Sequence, residues 1–274
     1  MNHLKNIVED IYEKKAFISK RDKILLDNVL KDIMQYIESG LLKICEKKDK
    51  KWLVHQWIKK AIHLYFITKD NILMEGDLQN YYDKIPLMFH KSSVKDFQSK
   101  KVRIVPSAIV RKGVFLGKNT VIMPSYINIG ASIGENSMVD TWATIGSCAQ
   151  VGKNVHISGG AGIGGVLEPI QKNPTIIEDN SFIGARSEIV EGVIVGKGSV
   201  ISMGVFIGQS TKIYDIEKDK ITYGYVPPYS VVVPGSIPSS KNKNCMLSAA
   251  IIVKTVDDKT RNKVQINKIL RDYK

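Results

Sequence analysis

Cysteine is scarce in this chain of 274 residues: Cys45, Cys148 and Cys245 are odd in number, far apart and in no CxxC or Cys/His spacing. A disulfide framework and a structural zinc site are thereby excluded, and reduced thiols fit a cytoplasmic protein. No window approaches the ~18 uninterrupted apolar residues of a bilayer span. The opening MNHLKNIVEDIYEKKAF carries acidic residues and no apolar run of signal-peptide length, so neither membrane insertion nor secretion is expected. Arginine is short as well, at 6 of the 40 basic residues. Grooves that grip phosphates or base edges favour the bidentate Arg fork, so the formal net charge of +13 reads as Lys-rich composition and nucleic acid is not expected as a partner. The charge is unevenly placed: residues 1–106 hold 21 basic and 14 acidic side chains, 107–213 hold 8 and 7, and 214–274 hold 11 and 6. With 43% of residues hydrophobic and 24% charged, the chain is too apolar for disorder and has ample volume for a core.

What is present is a period of six. Stepping from Ile109 gives Phe115, Val121, Ile127, Ile133, Val139, Ile145, Val151, Ile157 and Ile163, all apolar, and the phase resumes at Ile177, Ile183, Ile189, Val195, Ile201, Ile207 and Ile213. Two residues before each stands a mostly small side chain, such as Ser125, Ala131, Ser137, Ala143 or Ala161. Glycine often follows, as at Gly134, Gly146, Gly152, Gly164, Gly184, Gly196 and Gly208, where a turn is expected to need permissive backbone. Six is neither the helical nor the strand period. It describes a short strand and a turn repeated along the walls of a parallel β-solenoid, with the apolar residue inward and the small one in the corner. The 14-residue gap between Ile163 and Ile177 predicts a loop at about 164–176 that leaves the coil and returns in register. A formal GxGxxG at Gly160, Gly162 and Gly165 lies in this context, with repeats before it and LEPIQKNP after it, and reads as turn glycines.

Before the repeat, residues 4–16, 21–39 and about 55–68 have helical spacing, the second with Leu25, Leu26, Val29, Leu30, Ile33 and Ile37 and a stop at Gly40. After it, YDIEKDKITYGYVPPYSVVVPGS and CMLSAAIIVKTV read as strands, and the end as an amphipathic helix with Val264, Ile266, Ile269 and Leu270 on its buried side. The expected organisation is a helical domain over 1–102, the repeat over 103–213 and a small cap of strands and helix over 214–274.

Exceptions to a repeat are where function is expected. Asp140 takes a register position that is Gly134 one repeat earlier and Gly146 one repeat later, so it is the first candidate for chemistry; its plainer reading is a solvated turn aspartate.

MPSYINIGA, MVDTWATIGSCAQVGKNVHISGG, GIGGVLEP, NPTIIEDNSFIGARSEIVEGVIV and SVISMGVFIGQSTKIYD, together with HQWIKKA and IVKTVD, resemble the tetrahydrodipicolinate N-succinyltransferase family of hexapeptide-repeat transferases across essentially the whole chain. The resemblance implies a mainly β fold, a left-handed parallel β-helix, assembled as a homotrimer. It implies an acyltransferase that moves a succinyl group from the co-substrate succinyl-CoA to the amine of ring-opened tetrahydrodipicolinate on the route to diaminopimelate and lysine, with no bound cofactor. It implies Asp140 and Glu188 as the catalytic carboxylates. Arg103, and more weakly Arg186, would hold the dicarboxylate, and Ser202, Gly204 and Lys254 would lie along CoA. Within the same fold, a different acyltransferase would use a histidine base, for which His156 is the one histidine inside the repeats, although a structural role suits it too; a γ-type carbonic anhydrase would need three histidine ligands that the repeats lack. A non-catalytic trimeric scaffold is the rival from another class; Asp140 and the loop favour an enzyme.

Overall fold

The computed structural model describes residues 1–49, 51–76, 79–167, 172–242 and 244–256. The expected helix around Val264–Leu270 lies outside them. Three helices open the chain, α1 (Asn2–Glu13), α2 (Lys20–Ser39) and α3 (Gln56–Thr68). The second begins at a capping box in which Ser19 and Asp22 satisfy each other's backbone N–H groups, and ends at Gly40 in the left-handed region. It buries Leu26, Val29, Leu30, Ile33, Met34 and Ile37, whereas Leu25 faces solvent. The sequence reading missed two antiparallel hairpins here, Cys45–Lys48 with Lys51–Val54 and Ile72–Met74 with Tyr81–Asp83, and a short helix α4 (Val94–Lys100). Their strands are only three or four residues long, too short for periodicity to register.

From Arg103 the chain winds through two-residue strands that stack in parallel as three walls of a left-handed β-helix. The first wall runs Arg103–Ile104, Val121–Ile122, Met138–Val139, His156–Ile157, Phe182–Ile183 and Val200–Ile201. The second runs Ile109–Val110, Tyr126–Ile127, Thr144–Ile145, Gly162–Ile163, Glu188–Ile189 and Phe206–Ile207. The third runs Phe115–Leu116, Ser132–Ile133, Gln150–Val151, Ile176–Ile177, Ile194–Val195 and Tyr225–Val226. From Ile127 on, the apolar residues of the six-residue phase are buried in one continuous core, each full burial contributing about 1.5–3 kcal/mol.

Three details differ from the sequence reading. In the first repeats the inward residue is one later: Val110, Leu116 and Ile122 are buried, while Ile109, Phe115 and Val121 are outward and half-buried. The five-residue step from Ile122 to Ile127, through Pro124 and Ser125, then sets the later phase. The slip does not show in a count by six from Ile109, because both residues of each early pair are apolar. Second, Ile213 is buried but outside the coil: Lys212–Asp215 pairs with Met246–Thr255, and Val226 fills the vacant third-wall slot. Ser230–Pro238 then continues the first wall, so the coil runs beyond Ile213. Third, the glycines after the inward residue do not sit at positive φ. Those at Gly134, Gly146 and Gly184 are needed because a Cβ would meet the backbone of the next coil, 2.5 Å from Gly152 C, 2.6 Å from Gly165 Cα and 2.5 Å from Ser202 C. The left-handed residue comes two places later, commonly Gly or Asn, as at Asn136, Asn154, Gly160, Asn180 and Gly204.

The helical region lies against the third wall. Ile44, Ile58, Ile62 and Leu64 share a core with Ile129, Cys148, Leu167 and Ile176. Glu178 accepts hydrogen bonds from Lys47 Nζ at 2.6 Å and Trp52 Nε1 at 2.8 Å across this seam. The second wall and the early rungs of the first are left outward, whereas Val200 near the end of the first wall is buried with Val231 and Val256.

Candidate active site

The corner between the first and second walls gathers most of the candidate residues. Strand pairing places Asp140, Ser158, Gly184 and Ser202 at equivalent positions on successive rungs, each one residue past the inward Val139, Ile157, Ile183 or Ile201. Two residues further, at the left-handed position, come Trp142, Gly160, Arg186 and Gly204. Two further again, on the outward face of the second wall, come Thr144, Gly162, Glu188 and Phe206. Asp140, Arg186, Glu188, Ser202 and Gly204 therefore lie along one edge of the coil.

Asp140 is half-buried, and its Oδ1 accepts the Thr141 backbone N–H at 2.6 Å. Thr141 Oγ1 stands 3.3 Å from the same oxygen. Among the described residues Oδ2 accepts no hydrogen bond, so it is available to a ligand. One rung on, His156 stacks on Phe182 with ring centroids 5.4 Å apart and 14° between planes. Burial pushes its imidazole below the ordinary histidine value, while the nearby Asp140 charge acts in the opposite sense. The Glu188 carboxylate accepts no hydrogen bond among the described residues, and partial burial pushes it above the usual glutamate value. Its side chain folds over Gly162, and that of Arg186 lies across Gly160, where a Cβ would stand 2.7 Å from Nε. Arg186 is exposed and in no ion pair with a described residue.

Two candidates fall elsewhere. Arg103 is exposed on the first wall, two rungs and roughly 10 Å along the axis from Met138, with Val121 between them. Lys254 is half-buried on the strand Met246–Thr255, opposite Val231, beyond the far end of the same wall. Trp142, 74% exposed, was missed: an indole at φ 61° is a costly conformation for a bulky side chain. Reading the left-handed position as its own column, with Trp142 and Arg186 among Gly and Asn, would have found it. Met203 and Phe206, also more than half exposed, extend this apolar edge.

A cavity of about 490 Å³ lies on the opposite side, in the seam between the helical region and the third wall. Its buried acid, Glu178, is already held by Lys47, Trp52 and the Lys197 backbone N–H at 3.0 Å, so its charge serves the seam. Among the described residues no three metal-ligating side chains converge, and no helix is long and apolar enough to cross a membrane.

Residues 130–165 match the bacterial transferase hexapeptide (six repeats), and 174–209 match the hexapeptide repeat of succinyl-transferase. The coil is therefore that of a hexapeptide-repeat acyltransferase. Residues 3–68 match the tetrahydrodipicolinate N-succinyltransferase N-terminal region. The chain is 57% identical over 272 residues to the 2,3,4,5-tetrahydropyridine-2,6-dicarboxylate N-succinyltransferase of Idiomarina loihiensis. It is 55% identical over 273 residues to the protein of that name from Acinetobacter baylyi, and each comparison covers 99% of both chains. The chain belongs to the tetrahydrodipicolinate N-succinyltransferase family.

Proposed function

We propose that the edge between the first and second walls is where this chain transfers a succinyl group from succinyl-CoA to the amine of ring-opened tetrahydrodipicolinate, giving N-succinyl-2-amino-6-oxopimelate and CoA. The observation that carries the placement is the alignment of Asp140, Arg186 and Glu188 along one edge, with unsatisfied oxygens on both acids and an unpaired guanidinium between them. The substrate arrives as an ammonium, which must lose a proton before nitrogen can attack a thioester. Asp140 Oδ2 accepts a hydrogen bond from that group and orients it. Glu188, whose basicity burial increases, takes the proton. The new N–C bond forms as the carbonyl becomes a tetrahedral oxyanion, which backbone N–H groups at the corner stabilise. The C–S bond then breaks as Glu188 returns its proton to the departing thiolate, and the second proton of the acylated nitrogen is lost to solvent, leaving the neutral amide.

Arg186 pairs a substrate carboxylate through its fork. Arg103 is too far along the axis to join it within one chain, so its part in binding requires a neighbouring copy. The exposed Trp142, Met203 and Phe206 support such a neighbour, in a homotrimer with shared clefts. The pantetheine arm of CoA runs past Ser202 and Gly204, where a Cβ on Gly204 would meet nothing within 4 Å, and Lys254 lies towards the phosphates. The free thiols Cys45, Cys148 and Cys245 support a cytoplasmic setting.

Incubating the protein with succinyl-CoA and tetrahydrodipicolinate tests this. CoA thiol is released in step with succinylated product, and Asp140→Asn lowers kcat/KM by about 10²–10⁴-fold with the fold intact. No release by the wild type, or equal release by the variant, overturns the reading. Light scattering gives about three times the 30.6 kDa chain mass; a monomer rules out clefts shared between copies.

A further inference from the structure

We propose that Gly162 is a positioning residue for Glu188: its missing side chain leaves a notch in the second wall into which Glu188 folds its carboxylate, one rung towards Asp140. The proposal rests on Glu188 as a catalytic carboxylate. A Cβ on Gly162 would coincide with that group, 2.5 Å from Cδ and 2.6 Å from Oε1. Nothing else requires glycine there. Gly162 lies in a strand and is not at positive φ. Along the same outward ladder Ile109, Tyr126, Thr144 and Phe206 all carry side chains, so the wall accommodates them. Glycine weakens a strand interior and commonly marks a close approach. Here the approaching group is Glu188 itself.

The notch also explains why the carboxyl is half-buried although it projects from an outer wall. Gly162 and Phe206, on the strands either side, bring no titratable group to it. Arg186 stands two residues back on the same corner, Asp140 and His156 lie around that corner on earlier rungs, and Glu191 turns away to the Gln209 backbone N–H at 2.8 Å.

Gly162→Ala is expected to fold, because the three atoms nearest its new methyl all belong to the mobile end of the Glu188 side chain. Pushing the carboxylate aside by an ångström or more lowers kcat about 100-fold. It also moves the acid limb of the kcat/KM profile to lower pH, because the displaced carboxyl loses the burial that raises its pKa. In a Glu188→Gln background the same alanine costs less than about threefold, the signature of two residues acting as one. Glu188→Asp, too short to fill the notch, reproduces the pH shift with Gly162 in place. Wild-type kcat and pH profile in Gly162→Ala, or an equal loss in both backgrounds, overturns the positioning role. Full activity in Glu188→Gln alone overturns the catalytic reading on which the role rests.

Discussion

Lys59 of α3 is 1% exposed and donates from Nζ to the main-chain carbonyl of Lys172 at 2.8 Å, while Gln56 Nε2 reaches the same carbonyl at 2.8 Å. The chain returns to the coil at this point after leaving it beyond Ile163, so one buried ammonium ties the excursion to the helical region. Burial pushes its pKa below the usual lysine value, yet Lys59 also donates to Gln56 Oε1 at 2.9 Å. Lys59→Met removes these bonds without changing the bulk of the side chain. Tryptic cleavage after Lys172 is expected to quicken about tenfold, the factor for ~1.4 kcal/mol of lost closure. An unchanged cleavage rate would show that Gln56 alone holds the segment.

Glu178 couples stability to pH. Burial alone would raise its carboxyl, but Lys47, Trp52 and the Lys197 N–H outweigh that and hold it below the ordinary value of 4.5. A carboxylate with a lowered folded-state pKa contributes stability that is complete above about pH 4.5 and lost as pH falls through the folded value. The side chain of Lys47 is 44% exposed, so the ion pair itself is partly screened. Glu178→Gln is expected to lose on the order of 1–3 kcal/mol at pH 7 and to flatten the loss of denaturation midpoint between pH 5 and 3. The same acid dependence in both proteins would assign it to other carboxylates.

The six-residue period made the coil legible because burial repeats where the chain repeats: Ile133, Val139, Ile145 and Ile157 all face one core. Asp140 was legible for the converse reason, as a charge in a glycine column. What stayed hidden depends on the third dimension. Arg186 and Glu188 matter because of Gly160 and Gly162, a full coil away through space, and the glycine run there looked like turn chemistry. Trp142 stayed unseen because its type is an exception only within the column of left-handed residues, commonly Gly or Asn, and that column is set by backbone conformation. The short hairpins of the helical region carry no period at all.

The two kinds of glycine can be separated by one substitution each. Gly146 faces backbone: a Cβ would stand 2.6 Å from Gly165 Cα and 2.7 Å from Gly164 C, neither of which can rotate away. Gly146→Ala must therefore spread two coils or break the N–H bond from Gly146 to Ile163 O, at 2.7 Å. A loss of about 3 kcal/mol or more is expected, with a correspondingly lower Tm, against little change for Gly162→Ala. Equal melting temperatures for the two variants would contradict the steric argument.

Arg186 sets stability against binding at a single residue. Its φ of 58° is a conformation that costs a side-chain-bearing residue roughly 1–2 kcal/mol, and at the equivalent place one rung either side stands glycine, Gly160 and Gly204. Arg186→Gly is thus expected to raise stability by about 1 kcal/mol, read as a higher denaturation midpoint with unchanged slope. The same change removes the guanidinium from the catalytic edge, and hydrogen bonds to a charged group are worth about 1.5–3 kcal/mol. KM for the dicarboxylate should then rise about 10–150-fold while KM for succinyl-CoA moves little. Arg186→Lys keeps the charge and the strained backbone but loses the planar fork, so it recovers only part of the affinity and none of the stability. If Arg186→Gly instead melts earlier and binds the dicarboxylate normally, the residue serves the coil and the substrate carboxylate is held elsewhere.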